Sequence, residues 1–223
     1  MILTQSPKSK WADDALHWIG MTYYVELNFP ERAIDSFSRL VKNYPHSTYA
    51  PQDQALLAEI LRARGQYARA LVEYYRFLKL FPENELTPKV WYRLITCLFE
   101  VGEYKAMRAQ AQAMLKKFPK STFADDCLFW IGESYFLQED YKKAREYFQK
   151  YLDGYPDGEL YFRAGINLAR TYEEEGDLGK AIDKYLELKS RFPTDPVLEA
   201  RLQSAKKRYF KKYKRKYPLA EKK

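Results

Sequence analysis

Residues 118–156 read FPKSTFADDCLFWIGESYFLQEDYKKAREYFQKYLDGYP and carry the pattern that decides the fold. Apolar residues recur within this stretch at steps of three and four, as Leu128, Ile131 and Tyr135 do, which is the period of an amphipathic helix and not of a strand. The polar residues 138–140 interrupt the pattern. The aromatic-proline pair at each end stops it, because proline disfavours the helical conformation in the residue before it. The stretch therefore predicts two helices joined by a short turn.

The same pattern recurs along the chain with a period of 37 residues. A fixed period of this length is typical of repeat proteins, in which each repeat is one supersecondary unit. The sequence predicts an all-α solenoid of five helical hairpins in residues 1–193, with repeats at approximately 9–45, 46–82, 83–119, 120–156 and 157–193. The aromatic-proline pairs that mark the period are Tyr44-Pro45, Phe81-Pro82, Phe118-Pro119, Tyr155-Pro156 and Phe192-Pro193.

The two ends of the chain differ from the complete repeats. Residues 1–7 align with the end of a second helix, so we expect the chain to begin inside a truncated repeat and to be a fragment of a longer array. The first repeat holds one additional residue, which its alignment with the fourth repeat places around Asn28-Phe29-Pro30. Residues 194–223 are expected to form a capping helix with a basic tail, since the last repeat would otherwise expose its apolar face.

Four positions of the fourth repeat match a known family. Gly132, Ala144, Phe148 and Pro156 have the spacing of the tetratricopeptide repeat, which this chain resembles over nearly its whole length. The longer unit and the motif Ala-Asp-Asp-x-Leu-x-Trp-Ile-Gly-x-Ser-Tyr at 124–135 are similar to the bacterial cell-envelope branch of that family. The periplasmic Tol-Pal-associated coordinator and the outer-membrane assembly lipoprotein BamD represent this branch.

The resemblance implies a right-handed α-solenoid that acts as a non-catalytic scaffold and binds a peptide or protein partner in a concave groove, lined by the first helices of the hairpins. It also implies a place in a bacterial envelope assembly or division complex, in the periplasm or at the outer membrane, with the cytoplasm as the alternative. We expect aromatic groove residues to anchor the partner, because they bury a large area at a low cost in side-chain entropy. The groove positions are Trp18, Met21, Tyr24, Glu59, Arg62, Tyr92, Phe99, Phe129, Trp130, Phe136 and Arg170.

Positive charge is concentrated at the C-terminal end of the chain. Residues 201–223 contain eleven Lys or Arg against one acid, whereas the first 200 residues have a net charge of −2, so the total of +8 describes the tail. This basic tail has three interpretations: a solvated face of the capping helix, a contact with anionic lipid or an acidic partner, and, with the least support, nucleic-acid binding. Its residues are Lys206, Lys207, Arg208, Lys211, Lys212, Lys214, Arg215 and Lys216.

No catalytic or metal-binding constellation is recognisable in the sequence. The 2 Cys and 2 His are isolated and the glycines form no phosphate-binding loop, so we expect no enzymatic activity, no cofactor and no metal site. We interpret His17 as a surface histidine, and Cys97 and Cys127 as buried apolar residues. The paired acids 13–14 and 125–126 complement helix dipoles. No apolar run approaches the roughly 18 residues of a membrane span.

Two further hypotheses concern partners. In the alternative function, the basic terminal helix binds nucleic acid or an anionic membrane surface and the solenoid is a spacer. Such binding would weaken steeply with salt, whereas groove binding with an apolar centre would change little. Self-association through residues 1–24 is also expected, because a truncated terminal repeat exposes apolar surface.

Overall fold

The structure is a computed structural model that describes residue 9, residues 11–214 and residues 217 and 218. These residues form eleven α-helices and no strand. Each of the five predicted repeats contains one pair of consecutive helices, and the predicted repeat remnant at 1–7 lies outside the described residues. The helices are α1 (Ala12–Met21), α2 (Pro30–Asn43), α3 (Ala50–Ala63), α4 (Tyr67–Leu80), α5 (Thr87–Glu100), α6 (Tyr104–Lys117), α7 (Ala124–Leu137), α8 (Tyr141–Gly154), α9 (Tyr161–Glu174), α10 (Leu178–Arg191) and α11 (Pro196–Tyr213).

The chain divides between Ser121 and Thr122 into two compact units. The first unit contains three hairpins, α1 to α6, in which α2 packs on α3 and α4 packs on α5. The second unit contains two hairpins, α7 to α10, and the terminal helix α11, which packs on α10. This division differs from the predicted boundary at residue 193, because α11 buries its apolar side in the second unit.

In the first and fourth hairpins, the second helix packs tightly on a glycine of the first helix. A Cβ atom added at Gly20 would lie 2.5 Å from the Phe37 ring, and one added at Gly132 would lie 2.8 Å from the Phe148 ring. Both phenylalanines are fully buried. In these two hairpins the glycine and the phenylalanine therefore form one packing contact, which leaves no room for a side chain at the glycine.

The turn inside each hairpin contains one residue with a positive φ angle, at the same position of the repeat. Gly65, Gly102 and Gly176 have φ angles of 71° to 78°, a region that glycine adopts without a side-chain clash. Glu139 takes this place in the fourth hairpin with a φ of 61°, and Asn28 takes it in the first with a φ of 52°. The same turn therefore ends the first helix of every hairpin.

The additional residue of the first repeat lies in the helix and not in the turn. A π-helical turn, Thr22–Glu26, extends α1, so that the first helix spans 15 residues where its counterparts span 14. The Leu27 N–H donates to the Thr22 carbonyl, five residues back, which is the hydrogen bond of a π-helix. The predicted insertion around residues 28–30 is therefore wrong, since Asn28 occupies the standard turn position.

The terminal helix α11 has one apolar and one polar side. Leu198, Leu202 and Tyr209 are buried in a cluster with residues of α9 and α10. A helix with a polar outer side can end a solenoid without exposing an apolar face. The exposed residues of its outer side include Ala200, Ser204, Lys207 and Lys211.

Candidate binding surface

A groove of about 410 Å³ lies between α3 and α5, the first helices of the second and third hairpins. Apolar side chains line much of it, and four charged side chains line it as well. A concave site with both kinds of side chain is suited to a peptide segment. The apolar side chains contribute affinity, and the polar side chains fix the orientation of the peptide. The apolar lining consists of Pro51, Ala55, Leu56, Leu86 and Val90.

A network of ionic side chains bounds this groove. Glu59 accepts a hydrogen bond of 2.8 Å from the Tyr74 hydroxyl and lies 3.4 Å from Arg93 Nε. Arg62 lies 3.5 Å from Glu59 and 3.2 Å from Glu100. Burial, together with the Glu59 carboxylate, raises the pKa of Tyr74, so its hydroxyl stays protonated and donates. The structure thus brings the predicted groove residues Glu59 and Arg62 together and ties them to neighbouring helices.

The predicted residues of the first hairpin lie on α1 and the π-helical turn. Trp18 and Tyr24 are exposed, and Met21 is half-buried. The Trp18 ring meets the His17 ring edge-on, with 5.0 Å between centroids. Two of these three residues therefore present aromatic surface to solvent.

His17 is buried, so its interpretation as a surface histidine is wrong. Its Nδ1 lies 2.8 Å from Asp53 Oδ1 of α3, and its ring stacks on Tyr49 with 4.1 Å between centroids. Burial raises the pKa of Asp53 to about 6, although the hydrogen bond to His17 acts in the opposite direction. The pair joins the first hairpin to the second inside the first unit.

The predicted residues of the third hairpin, Tyr92 and Phe99, are half-buried. Phe99 packs against Tyr104 of α6, with 5.5 Å between ring centroids. Arg93, next to Tyr92 in sequence, lines the groove between α3 and α5. The charged residue and not its aromatic neighbour therefore contributes to this surface.

Of the residues that line this groove, sequence reasoning named only Glu59 and missed the others, among them Leu56 and Arg93. Both occupy the repeat position that Trp18 and Trp130 occupy in the first and fourth repeats. The register of the 37-residue repeat therefore identifies both residues. A search restricted to aromatic residues does not find them, because neither is aromatic.

Phe129 and Phe136 are core residues of the second unit, so their prediction as partner anchors is wrong. Phe129 is fully buried and lies 5.9 Å from Phe148 of α8, between ring centroids. Phe136 is nearly fully buried and packs against Tyr141 of α8. Both rings fill the space between the two helices of the fourth hairpin, which leaves them no surface for a partner.

Two arginines of α9 lie over aromatic rings of α7. The Arg163 guanidinium is 4.8 Å from the centroid of Phe129 and 5.9 Å from that of Trp130, which is half-buried. The Arg170 guanidinium is 4.5 Å from the centroid of Phe136. These are cation–π distances. The part of this surface predicted to be aromatic is therefore partly covered by cations.

Two carboxylates, Glu133 and Glu173, lie close to arginines of α9 and α11. The Asn167 amide donates to Glu133 at 2.5 Å and accepts from Arg170 at 3.1 Å. Arg208 of α11 lies 3.5 Å from Glu173. Burial raises the pKa of both glutamates, and the adjacent arginines oppose this shift. A ladder of alternating charges therefore crosses α7, α9 and α11 in the second unit.

Part of the basic tail holds α11 in place. Besides Arg208, the Lys212 ammonium donates to the Gly176 carbonyl at 3.0 Å. Arg215 and Lys216 lie outside the described residues. Lys206 is half-buried, whereas Lys207, Lys211 and Lys214 are exposed.

Within the described part of the chain, no three His, Cys, Asp or Glu side chains come together in a group that could hold a metal ion. None of the helices between residues 11 and 214 is long and apolar enough to cross a membrane.

Cys97 and Cys127 are buried, as predicted, and burial raises their pKa values to about 11 and about 12. Both thiols therefore stay protonated.

Comparisons with known proteins bear on the fold. Tetratricopeptide repeat family models match residues 22–85 and 124–190, which together cover more than half of the chain. No curated protein sequence matches it. Among solved structures, a tetratricopeptide repeat protein from Parabacteroides merdae has a TM-score of 0.69 at 18% identity, over 91% of this chain and 75% of that chain.

Two further structures are similar. MamA from Desulfovibrio magneticus RS-1, from position 41 to its end, has a TM-score of 0.64 at 18% identity, over 82% of this chain and 97% of that chain. YrrB, a TPR protein with an unusual peptide-binding site, has a TM-score of 0.64 at 15% identity, over 91% of this chain and 95% of that chain.

At these identities the solved structures support the fold and no closer relationship. The predicted all-α solenoid of helical hairpins is confirmed, since family models and structural neighbours agree with it. The assignment to the cell-envelope branch stays a prediction. By its repeats, its helical hairpins and its two family matches, this chain belongs to the tetratricopeptide repeat family.

Proposed function

We propose that this protein is a non-catalytic scaffold that binds a segment of a partner protein in the groove between α3 and α5. Tetratricopeptide repeat proteins generally act as protein-protein interaction scaffolds, and the groove is the observation that carries the proposal here. YrrB, with its peptide-binding site on the same fold, supports a peptide as the type of ligand. We also propose a place in a bacterial envelope complex, which rests on the sequence motif at 124–135.

The lining of the groove suggests what the segment contains. Apolar side chains such as Ala55, Leu56 and Leu86 suit one or two apolar residues of the partner. Glu85, Lys89 and Arg93 line it as well, so the groove has no strong excess of one charge. Binding here should therefore depend weakly on salt, because little counterion release accompanies it.

The matched variants Ala55→Arg and Ala113→Arg test this proposal. Ala55 lines the groove, so the arginine side chain would fill it, whereas Ala113 is exposed on α6 and is a control of equal chemistry. A photo-crosslinking amino acid at Leu56 in the native host identifies the partner segment. Its synthetic peptide is then titrated with each variant by fluorescence anisotropy.

We expect Ala55→Arg to weaken peptide binding at least tenfold and Ala113→Arg to leave it unchanged. Equal affinity of both variants for the peptide would refute binding in this groove.

A second candidate function, binding of an anionic surface, is favoured by Lys207, Lys211 and Lys214, which are exposed and form no ion pair with a described residue. If partners are instead lost on changing these lysines to glutamine, and affinity falls steeply between low and moderate salt, the second candidate is correct.

A further inference from the structure

The first helix of the fifth hairpin has a glycine where the earlier first helices have a large side chain. Gly165 of α9 is buried, and the residues one, two and three periods of 37 before it are Leu128, Trp91 and Gln54. In the first repeat, the equivalent residue is Leu16. The fifth hairpin therefore lacks a side chain that the other four hairpins have at this position.

A pocket of about 280 Å³ lies beside this glycine, bounded by α8, α9 and α10, and we call it the Gly165 pocket. Its apolar lining includes Leu168 and Leu188, which are at most 5% exposed, and the half-buried Leu152 and Tyr161. Pockets for drug-sized ligands usually measure about 300–1,000 Å³, so this smaller pocket suits a single side chain. Its polar lining consists of Lys184, Glu187, Ser190 and Arg191.

The third hairpin holds an indole at the equivalent position. The Trp91 Nε1–H donates to the Gln110 side chain at 2.8 Å, and Gln110 lies two periods before Lys184 of the pocket. The Trp91 ring meets the Phe118 ring edge-on, with 6.0 Å between centroids, and Phe118 lies two periods before Phe192. This place in the repeat can therefore accommodate an aromatic ring with a hydrogen-bonding edge.

The third and fifth hairpins also share an ion pair near this place. In the third hairpin, the Lys117 ammonium lies 2.9 Å from the Glu83 carboxylate. Two periods later, the Arg191 guanidinium of the pocket lies 3.1 Å from the Asp157 carboxylate. The Gly165 pocket therefore has surroundings similar to those of the Trp91 ring, but this chain supplies no ring of its own at residue 165.

The polar lining of the Gly165 pocket suits an indole. The Glu187 carboxylate can accept the indole N–H, as the Gln110 side chain does in the third hairpin. The Lys184 ammonium lies 2.8 Å from Glu187, so the two charges balance and the pocket does not select for a charged group. Cations also bind the faces of aromatic rings, and Trp is the best partner for them. The Arg191 guanidinium makes such a contact with Tyr161, 4.2 Å from the ring centroid.

We propose that the Gly165 pocket binds a tryptophan side chain of a partner protein. The indole would lie between α8 and α10, over Leu168 and Leu188, at the place that Trp91 occupies in the third hairpin. A tryptophan held in a pocket of this kind is a common anchor of protein interfaces. This pocket lies on the second helices of the second unit, so the proposal is independent of the groove between α3 and α5.

Selection from a random peptide library on the 223-residue chain tests the proposal, with Gly165→Leu as the counter-selection. This variant carries the leucine of the fourth repeat, whose side chain would occupy the pocket. Peptides that bind elsewhere, including the groove between α3 and α5, bind both chains and are removed. We expect the selected peptides to share a tryptophan, and their dissociation constants to rise at least tenfold with Gly165→Leu or with alanine at that tryptophan.

Gly154→Leu is the matched control, since Gly154 is exposed on α8 and a Cβ atom there would have no neighbour within 4 Å. It should leave the peptide affinity unchanged. A Cβ atom at Gly165 would lie 2.8 Å from a Leu188 methyl, so Gly165→Leu requires Leu188 to move. Ser190→Trp is therefore a second variant, because Ser190 is an exposed residue of the lining and its substitution covers the pocket from outside. Circular dichroism checks that both variants are folded.

Three results would overturn the proposal. The first is a set of selected peptides that share no tryptophan. The second is a peptide affinity that stays the same in Gly165→Leu and in Ser190→Trp. The third comes from titrating the chain with N-acetyl-tryptophanamide while the methyl resonances of Leu188 are recorded by NMR. If this small probe shifts them but no tryptophan peptide is selected, the pocket binds a free aromatic molecule and not a partner protein.

Discussion

At the scale of single residues, the buried pair of His17 and Asp53 stands out. Asp53 Oδ1 bonds to His17, whereas Oδ2 is buried without a hydrogen-bond partner among the described residues. A buried carboxylate with one unsatisfied oxygen is costly in its charged form, which is the reason that burial raises the pKa of Asp53 to about 6. The first two hairpins are therefore joined by a contact whose strength depends on pH.

The sign of that dependence follows from the direction of the shift. The pKa of Asp53 is raised from 3.8 to about 6 on folding, so the protonated carboxyl stabilises the fold fully below about pH 4, and this contribution is lost as pH rises through 6. Relative to Asp53→Asn, we expect the wild-type free energy of unfolding to fall by up to about 3 kcal/mol between pH 4 and pH 7.

Urea unfolding of both proteins at pH 4, 5.5 and 7 measures this difference. Asp35→Asn is the control, since Asp35 is exposed on α2 and its substitution should leave the pH profile unchanged. Parallel profiles of wild type and Asp53→Asn would show that the Asp53 carboxyl does not titrate in this range.

At the scale of elements, the 37-residue spacing predicts each hairpin and each turn, but not which side of a helix is buried. On α7, apolar residues occupy most sides of the helix. The sequence of such a helix has no single apolar stripe that would identify its buried side. Phe129 and Trp130 are neighbours in sequence, yet Phe129 is core and Trp130 is half-buried. Sequence alone does not show this, because Phe129 is buried by its contacts with Phe148 and Tyr151 of α8.

The burial of His17 escapes sequence reasoning for a related reason. Its partner Asp53 lies 36 positions away, and no local pattern connects the two. Leu56 and Arg93, by contrast, follow from the repeat register, since they lie two periods and one period of 37 residues before Trp130. The sequence thus predicts features that recur with the repeat, such as groove positions. It does not predict the burial of His17, which depends on a contact between two repeats.

The π-helical turn gives a prediction for a deletion. Removing Val25 should convert the Thr22–Glu26 turn to a regular α-helix of 14 residues, so we expect the free energy of unfolding to change by less than about 1 kcal/mol. Removing Thr96 from α5 should cost more than about 3 kcal/mol, because it rotates the buried Leu98 away from the core. Urea unfolding compares the two deletions, and equal losses would contradict the assignment of the extra residue to this turn.

At the scale of the whole molecule, the terminal helix α11 completes the second unit. Ile182, Tyr185 and Leu188 of α10 belong to the cluster that Leu198 and Leu202 of α11 cover. The helix is therefore part of the fold, and its exposed lysines are carried on a structural element.

A chain that ends at residue 194 tests this structural role. Because this shortened chain lacks α11, the apolar side of α10 is exposed. We expect its unfolding temperature, measured by circular dichroism, to be lower than that of the full chain, and we expect it to associate in sedimentation experiments. A chain that ends at residue 218 is the control and should unfold like the full chain. If both truncated chains unfold at the same temperature, α11 contributes nothing to the second unit.

The widened turn at Thr22–Glu26 also has a consequence for how such chains evolve. The extra residue is absorbed before the turn, so Ala33 and Tyr44 keep the intervals that their counterparts have in later repeats. A copy of the repeat can thus gain a residue without requiring compensating substitutions in the copies beside it. The length of one first helix can therefore vary by a residue while the hairpins that follow it keep the 37-residue period.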